Sequence, residues 1–227
     1  MKRISHETYS AVFGTVYLGL MSNLLLLAAC APMVALLITT DPAVAWPLLA
    51  VAAPVCAPAV TAAFTTFRAH GDGDPRVART FVRAWRSTWR TAMLLGALVT
   101  AVVVVALVDV RFFSPMQAGV AVIPLLAVLV VLVLVSALLA LAALADDPSA
   151  RLRDLLAPAL VLSVRRWWLS LVSLAVVAMQ VALFAATPAL AIGLTAAPAL
   201  YLVWANARYT LRPLPAPAES AGARSSR

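Results

Sequence analysis

Six long apolar stretches dominate this sequence and limit what it can fold into. They run from Val12 to Ile38, Ala43 to Phe67, Thr91 to Val108, Gly119 to Ala145, Trp168 to Ala186 and Ala189 to Asn206. A helix needs roughly 20 apolar residues to cross the hydrocarbon core of a bilayer, which is about 30 Å thick. Each stretch is therefore predicted to cross as a helix, some with tilt or flanking residues.

The composition also excludes a soluble fold. Apolar residue types make up 64% of the 227 residues, charged types 11%, and the mean hydropathy is +0.99. A soluble domain carries about 25% charged residues to cover its surface. We expect an all-α polytopic membrane domain over residues 1–212, a six-helix transmembrane bundle with one or two cytoplasmic interfacial helices. The Pro, Ala and Ser-rich tail, 213–227, is predicted to be disordered.

The net charge of +8 does not indicate nucleic-acid binding, because the basic residues lie in four short segments between or outside the apolar stretches. Six spans place sixteen of the seventeen basic residues on one side of the membrane, and Arg111 alone on the other. Those sixteen are Lys2, Arg3, Arg68, Arg76, Arg79, Arg83, Arg86, Arg90, Arg151, Arg153, Arg165, Arg166, Arg208, Arg212, Arg224 and Arg227. Basic residues stay inside, so both termini are predicted to be cytoplasmic.

The segment 75–90 is predicted to be a helix lying on the membrane surface. Asp74 can cap its start, and Pro75 suits the first helical position. One face carries Arg76, Arg79, Arg83, Arg86 and Arg90, and the other carries Val77, Phe81, Trp85 and Trp89. An arginine face opposed to an aromatic face is typical of an interfacial helix that contacts anionic lipid headgroups.

The loop after the fourth span repeats this pattern more weakly. Asp147 again precedes a proline, and the loop ends in Arg165, Arg166, Trp167 and Trp168. The order of hairpins and interfacial helices therefore suggests an internal repeat. Both loops can serve as membrane anchors or as docking surfaces for a partner, and the two roles can coexist.

Residues that carry catalytic chemistry are sparse. The six stretches contain no charged residue or histidine, and such residues usually mark ion and proton pathways. His6 and His70 lie outside them, and no phosphate-binding loop, nucleophile motif or metal-ligand spacing occurs. We expect a protein that is not an enzyme and that holds no cofactor or metal.

The two cysteines, Cys30 and Cys56, both lie inside apolar stretches, which argues against a disulfide framework or a zinc site. The sequence "LLLLAAC" that ends at Cys30 resembles a lipoprotein cleavage box. Apolarity continues past Cys30 to a full span, however, and this favours a membrane helix over a cleaved signal peptide.

Polar residues inside the spans are predicted to hold helices together. They are Asn23, Thr61, Ser136, Gln180 and Asn206, and Ser163 joins them if the fifth helix begins before Trp168. Counted from the turn near Asp41, Asn23 and Thr61 lie at matching depths. The Asn23 amide is therefore predicted to bond to Thr61 or to a carbonyl freed near Pro58. Pro54 and Pro58 are expected to bend the second span, because each removes a backbone donor.

The first hundred residues resemble the YesL-like bacterial membrane proteins of uncharacterised function. The resemblance rests on "SNLLLLAACAPMVAL", "APAVTAAFTTFR" and "RTFVRAWRSTWRTAMLLGAL". In the second of these, Ala57 stands where the family usually has glycine. Members of that family are often encoded beside sugar-uptake ABC transporter genes, so the resemblance implies an accessory role in carbohydrate import.

These observations lead to a first hypothesis, a non-enzymatic membrane protein that assists or regulates a carbohydrate ABC transporter. ABC transporter permease subunits are the partners it implies, with the Arg and Trp segments as the contact surface. The alternative is a small-molecule permease acting alone or as a homo-oligomer, which would need polar groups facing one cavity at mid-membrane. A structural membrane scaffold is a third hypothesis.

The predicted topology can be tested with alkaline phosphatase fusions. Fusions after Asp41, Arg111 or Thr187 should be active, because these positions are expected outside the cell. Fusions after Gly73, Ser149 or Pro213 should be inactive. Activity at Gly73 would contradict the topology, since six arginines would then face outward.

Overall fold

The computed structural model describes residues 6–211, with side chains from Phe13 onward, and the predicted tail 213–227 lies outside the described residues. Within that range the chain is almost entirely helical and has no strand. The helices are α1 (His6–Ala29), α2 (Ala31–Thr39), α3 (Pro42–Gly71), α4 (Val77–Phe113), α5 (Gly119–Asp146), α6 (Leu152–Arg165), α7 (Trp167–Ala186) and α8 (Pro188–Leu211). The predicted all-α polytopic architecture is confirmed.

Five helices, α3, α4, α5, α7 and α8, are each long and apolar enough to cross a membrane. The first predicted span, 12–38, is not one straight helix, because α1 and α2 meet at Cys30 with a bend of 75°. The cause is Pro32, which cannot donate to the carbonyl of Ala28 and whose ring clashes with it. The pair provides a sixth crossing when it is counted as one broken span.

Contacts at the two ends of the bundle support that count. A Cβ placed on Gly14 of α1 would lie 3.6 Å from His70 Cε1, at the end of α3. Trp46, near the start of α3, shares a groove with Val108 and Arg111 at the end of α4. The start of α1 and the start of α3 therefore lie at opposite ends, and α1 and α2 together connect them.

The end of the bundle where α1 begins and α3, α5 and α8 finish is called the basic end below. An ion pair of 3.0 Å joins Arg68 of α3 to Asp146 of α5. At the end of α8, Arg166 Nη1 donates to the carbonyl oxygens of Tyr209, at 2.6 Å, and Thr210, at 3.0 Å. The basic segments between the spans thus tie neighbouring helices together.

Small residues dominate the centre of the bundle. Ala62, Ala63, Ala92, Ala140 and Ala142 are fully buried. Lipid tails are as apolar as the side chains, so membrane helices associate by close backbone packing rather than by hydrophobic exclusion. Alanine at these positions lets α3, α4 and α5 approach closely.

The predicted surface helix over 75–90 is wrong as a separate element. Helix α4 runs without a break for 37 residues, from Val77 to Phe113. At 1.5 Å per residue it is about 56 Å long, well beyond the ~30 Å of hydrocarbon. Its first part extends past the apolar layer at the basic end instead of lying flat on it.

Burial of one face explains why the first part of α4 is continuous with the rest of the helix. Its buried positions recur at spacings of three and four residues, which is one helical face. They are Val77, Phe81, Ala84, Thr88, Ala92 and Leu95. The apolar face that was predicted to enter lipid is therefore largely covered by protein.

The remaining predicted boundaries fare better. Helices α5 and α7 match the predicted spans 119–145 and 168–186 to within one residue at each end. Thr187 alone separates α7 from α8, as the short predicted turn requires. The prolines of α3 produce a 3₁₀ turn at Ala53–Val55.

The suggested internal repeat is inexact. The second loop and the span after it form two helices, α6 and α7, which are separated at Arg166, whereas the first loop and its span form the single helix α4.

The close contact between α3 and α4 yields a test. A Cβ on Gly96 would lie 2.9 Å from Ala57 Cβ and 3.2 Å from the Pro54 oxygen. Gly96→Ala should lower the free energy of unfolding by about 1–3 kcal/mol through overpacking, which outweighs the ~1 kcal/mol gain in helix propensity. Thermal unfolding in detergent measures this. The matched control is Gly19→Ala, whose Cβ meets nothing within 4 Å; equal melting temperatures for the two variants would contradict the packing.

Candidate functional site

Four arginines form an exposed row on the part of α4 that extends beyond the apolar layer. Arg79, Arg83, Arg86 and Arg90 are spaced by four, three and four residues, on the face turned away from α3. The two ion pairs among the described side chains involve Arg68 and Arg76, so none of the four belongs to either. We call these four residues the arginine ridge.

Asp74 fixes the start of the helix that carries the ridge. Its Oδ1 accepts hydrogen bonds from the Arg76 backbone N–H and from Arg76 Nε, both at 3.1 Å, and its Oδ2 accepts one from Thr80 Oγ1 at 3.0 Å. The backbone bond, followed by the two side-chain bonds, holds the pKa of the Asp74 carboxyl below its ordinary value. The helix begins at Val77, two residues after the start that was predicted at Pro75.

Two tryptophans border the ridge. Trp85 and Trp89 are half-buried, and their rings meet edge to face with centroids 4.8 Å apart. With Arg86, Ser87, Arg90 and Thr91 they line a shallow depression on the side of α4. The predicted group of Arg and Trp residues is therefore a continuous surface on one rigid helix. Arg76 differs from the ridge, because its guanidinium pairs with Asp74.

The second predicted group divides into two roles. Arg166 is committed to the carbonyl oxygens at the end of α8, where a cation complements the negative end of the helix dipole. Arg165 is exposed, and the exposed fractions of Trp167 and Trp168 are 63% and 53%. Arg166 therefore acts as a structural clamp, whereas Arg165 and the two tryptophans remain on the surface.

The predicted bond between Asn23 and Thr61 is wrong. Asn23 Nδ2 donates to the Gly193 carbonyl oxygen at 3.1 Å, and Asn23 Oδ1 accepts from the Ala197 N–H at 2.6 Å. Thr61 Oγ1 donates to the Ala57 carbonyl of its own helix at 3.1 Å. Asn23 therefore bonds to α8 and not to α3.

The target of Asn23 is an irregular turn in α8. Residues Ala191–Thr195 form a π-helical turn, in which backbone groups are displaced from their usual partners. Gln180 Nε2 of α7 donates to the Ala191 carbonyl at 2.8 Å, and Thr195 Oγ1 donates to Gln180 Oε1 at 2.9 Å. We call Asn23, Gln180 and Thr195 the polar clasp.

Thr195 is the member of the clasp that sequence reasoning missed. It lies inside the sixth predicted span, and its hydroxyl would have qualified it as an embedded polar residue. Nothing in the sequence marked the π turn itself. Among the described side chains, no three His, Cys, Asp or Glu residues lie together in a group that could hold a metal ion.

Comparison with known proteins gives one match. The model of a family described as "Protein of unknown function, DUF624" matches residues 20–110. That range includes Asn23, the break at Cys30 and the whole arginine ridge, and it ends before α5. No curated protein and no solved structure matches the chain. The match lies in the same part of the chain as the resemblance to YesL-like proteins, and that finer name stays a prediction.

The clasp predicts a measurable difference between Asn23 and Thr61. Asn23→Leu should lower the free energy of unfolding by about 1–2 kcal/mol, because it removes two interhelical hydrogen bonds. The matched control Thr61→Val should cost less, since its hydroxyl serves only its own helix. Thermal unfolding in detergent gives the stability, and amide hydrogen exchange should rise at residues 193–197 in Asn23→Leu alone. Equal effects of the two substitutions on exchange there would contradict the clasp.

Proposed function

We propose that this chain is a non-enzymatic accessory or regulatory component of a carbohydrate ABC transporter in the bacterial cell membrane. It crosses the membrane several times, and both termini are cytoplasmic. The arginine ridge of α4 contacts an acidic surface of the transporter, such as a permease subunit. The observation that carries the proposal is the ridge itself, four exposed arginines outside both ion pairs of the described residues.

The setting of the ridge suits recognition by a partner. Val77, Phe81 and Ala84 are buried behind it, so packing within the protein already holds this helix before a partner binds. A preorganised surface loses less conformational entropy on binding than a flexible loop. Guanidinium groups pair with carboxylates in a bidentate geometry, which gives orientation as well as attraction. Electrostatic complementarity of this kind governs specificity and association rate more than affinity.

The choice of a carbohydrate transporter rests on the resemblance to YesL-like proteins, whose genes often lie beside genes for sugar-uptake ABC transporters. The family match over residues 20–110 agrees with that resemblance and covers the ridge. The orientation rests on the asymmetry of Lys and Arg, since sixteen of seventeen basic residues fall on one side of six spans.

A second candidate function is a small-molecule permease, alone or as a homo-oligomer. The observation that favours it is irregular backbone in three spans: the break at Cys30, the 3₁₀ turn in α3 and the π turn in α8. In secondary transporters, substrate sites are often built at discontinuous helices. Here the side chains of the polar clasp form hydrogen bonds with backbone groups of the π turn and beside it. This structural role accounts for them without a substrate. Sugar entry into liposomes that contain the purified protein alone would favour the permease over the accessory role.

Charge reversal tests the accessory role. A tagged copy purified in mild detergent should retain transporter subunits, identified by mass spectrometry, and Arg83→Glu with Arg86→Glu should reduce that retention at least fivefold. The matched control is Arg151→Glu with Arg153→Glu, which makes the same change in charge at exposed positions elsewhere. Equal retention in wild type and both variants, at equal abundance, would overturn the ridge as a docking surface.

A further inference from the structure

A groove between α1 and α8 is separate from the ridge and adjoins the clasp at Ala197, whose N–H donates to Asn23. It has a volume of about 440 Å³, within the ~300–1,000 Å³ typical of ligand sites. The end of α3 closes it at the basic end, and Ala197 and Pro198 close it toward the middle of α8. Its lining includes Gly19 of α1, His70 of α3, and Ala197 and Trp204 of α8.

The groove is apolar for most of its length and open on its outer side. Leu18, Gly19, Ala197 and Pro198 supply its inner part, and Leu202 at the rim is 54% exposed. Helices α1 and α8 are both apolar where they face outward, so the rim continues into the lipid-facing surface. An extended hydrocarbon chain could enter from the side without leaving the apolar layer.

The basic end of the groove differs from its inner part. Phe67, Tyr201 and Trp204 form an aromatic cluster, with ring centroids 5.4 to 6.1 Å apart. The Arg208 guanidinium lies 5.3 Å from the centre of the Trp204 ring and is exposed. His70 lines the same end. Arg208 belongs to neither ion pair of the described residues, so its charge is available to an anion.

We propose that this groove binds an anionic phospholipid, with an acyl chain along Gly19 and Ala197 and the headgroup phosphate at Arg208 and His70. A guanidinium forms a bidentate, charge-assisted pair with a phosphate oxyanion. Aromatic side chains prefer the headgroup level of a bilayer, where the cluster would meet the glycerol region. The charge at the mouth selects an anionic headgroup over a zwitterionic one. This site does not depend on the accessory role or on the ridge.

Gly19 allows the groove to be filled without disturbing the packing. A Cβ on Gly19 meets no atom within 4 Å, so Gly19→Leu should extend into the groove rather than into a neighbouring helix. The matched control is Val16→Leu, because Val16 lies on the same helix, is 53% exposed and does not line the groove. Arg208→Gln removes the charge and leaves the groove open.

Native mass spectrometry of the detergent-purified protein with added phosphatidylglycerol or phosphatidylcholine of equal chain length tests the site. Wild type and Val16→Leu should each retain one phosphatidylglycerol in clear preference to phosphatidylcholine. Gly19→Leu should reduce phosphatidylglycerol retention at least tenfold, and Arg208→Gln should abolish the preference between the two lipids.

Equal retention of both lipids by wild type would overturn the proposal, as would full phosphatidylglycerol retention by Gly19→Leu. A Gly19→Leu variant that changes oligomeric state with no loss of lipid would identify a second copy of this chain as the occupant instead. If Gly19→Leu fails to fold, as judged by gel filtration and melting, Arg208→Gln decides: an unchanged lipid preference overturns the proposal.

Discussion

The hydrocarbon core of a membrane offers no hydrogen bonds, and this constraint organises the whole chain. Every backbone N–H and C=O must find a partner within the protein, so the chain is helical almost throughout its described length. Where a helix departs from regular geometry, side chains from neighbouring helices supply the missing partners. Asn23 and Gln180 do this for the π turn of α8, and they thereby tie α1 and α7 to it.

Helix α4 passes through two environments, the hydrocarbon layer and the aqueous headgroup region. Its later part meets lipid with aliphatic side chains, whereas its first part presents arginines to water and headgroups. The two parts form one unbroken helix, and a single stripe of buried small and apolar side chains runs along both. A helix lying on the membrane would lose that packing, which is why the arginine and aromatic faces do not produce a separate interfacial element.

The arginine ridge and the groove lie in different parts of the chain. The arginine ridge lies within the family match at residues 20–110, while the π turn and the whole α8 wall of the groove lie outside it. The ridge is a convex, charged surface suited to a protein partner. The groove is concave and apolar, and the exposed guanidinium of Arg208 lies against Trp204 of its lining. One end of the bundle thus offers two chemically different surfaces, and neither uses the residues that the other needs.

The sequence by itself determined the fold class, the apolar spans and the exposed arginines. Apolar length and helical spacing are local properties, so α5 and α7 could be predicted nearly to the residue. The partners of Asn23 and Gln180 and the continuity of α4 were decided only by tertiary structure. A polar side chain in a span must form a hydrogen bond. Which helix supplies the partner of Asn23 depends on how α1 is rotated about its axis relative to α3 and α8. That rotation is set by packing among residues far apart in the sequence, so it cannot be predicted from the hydrophobic periodicity of a single helix.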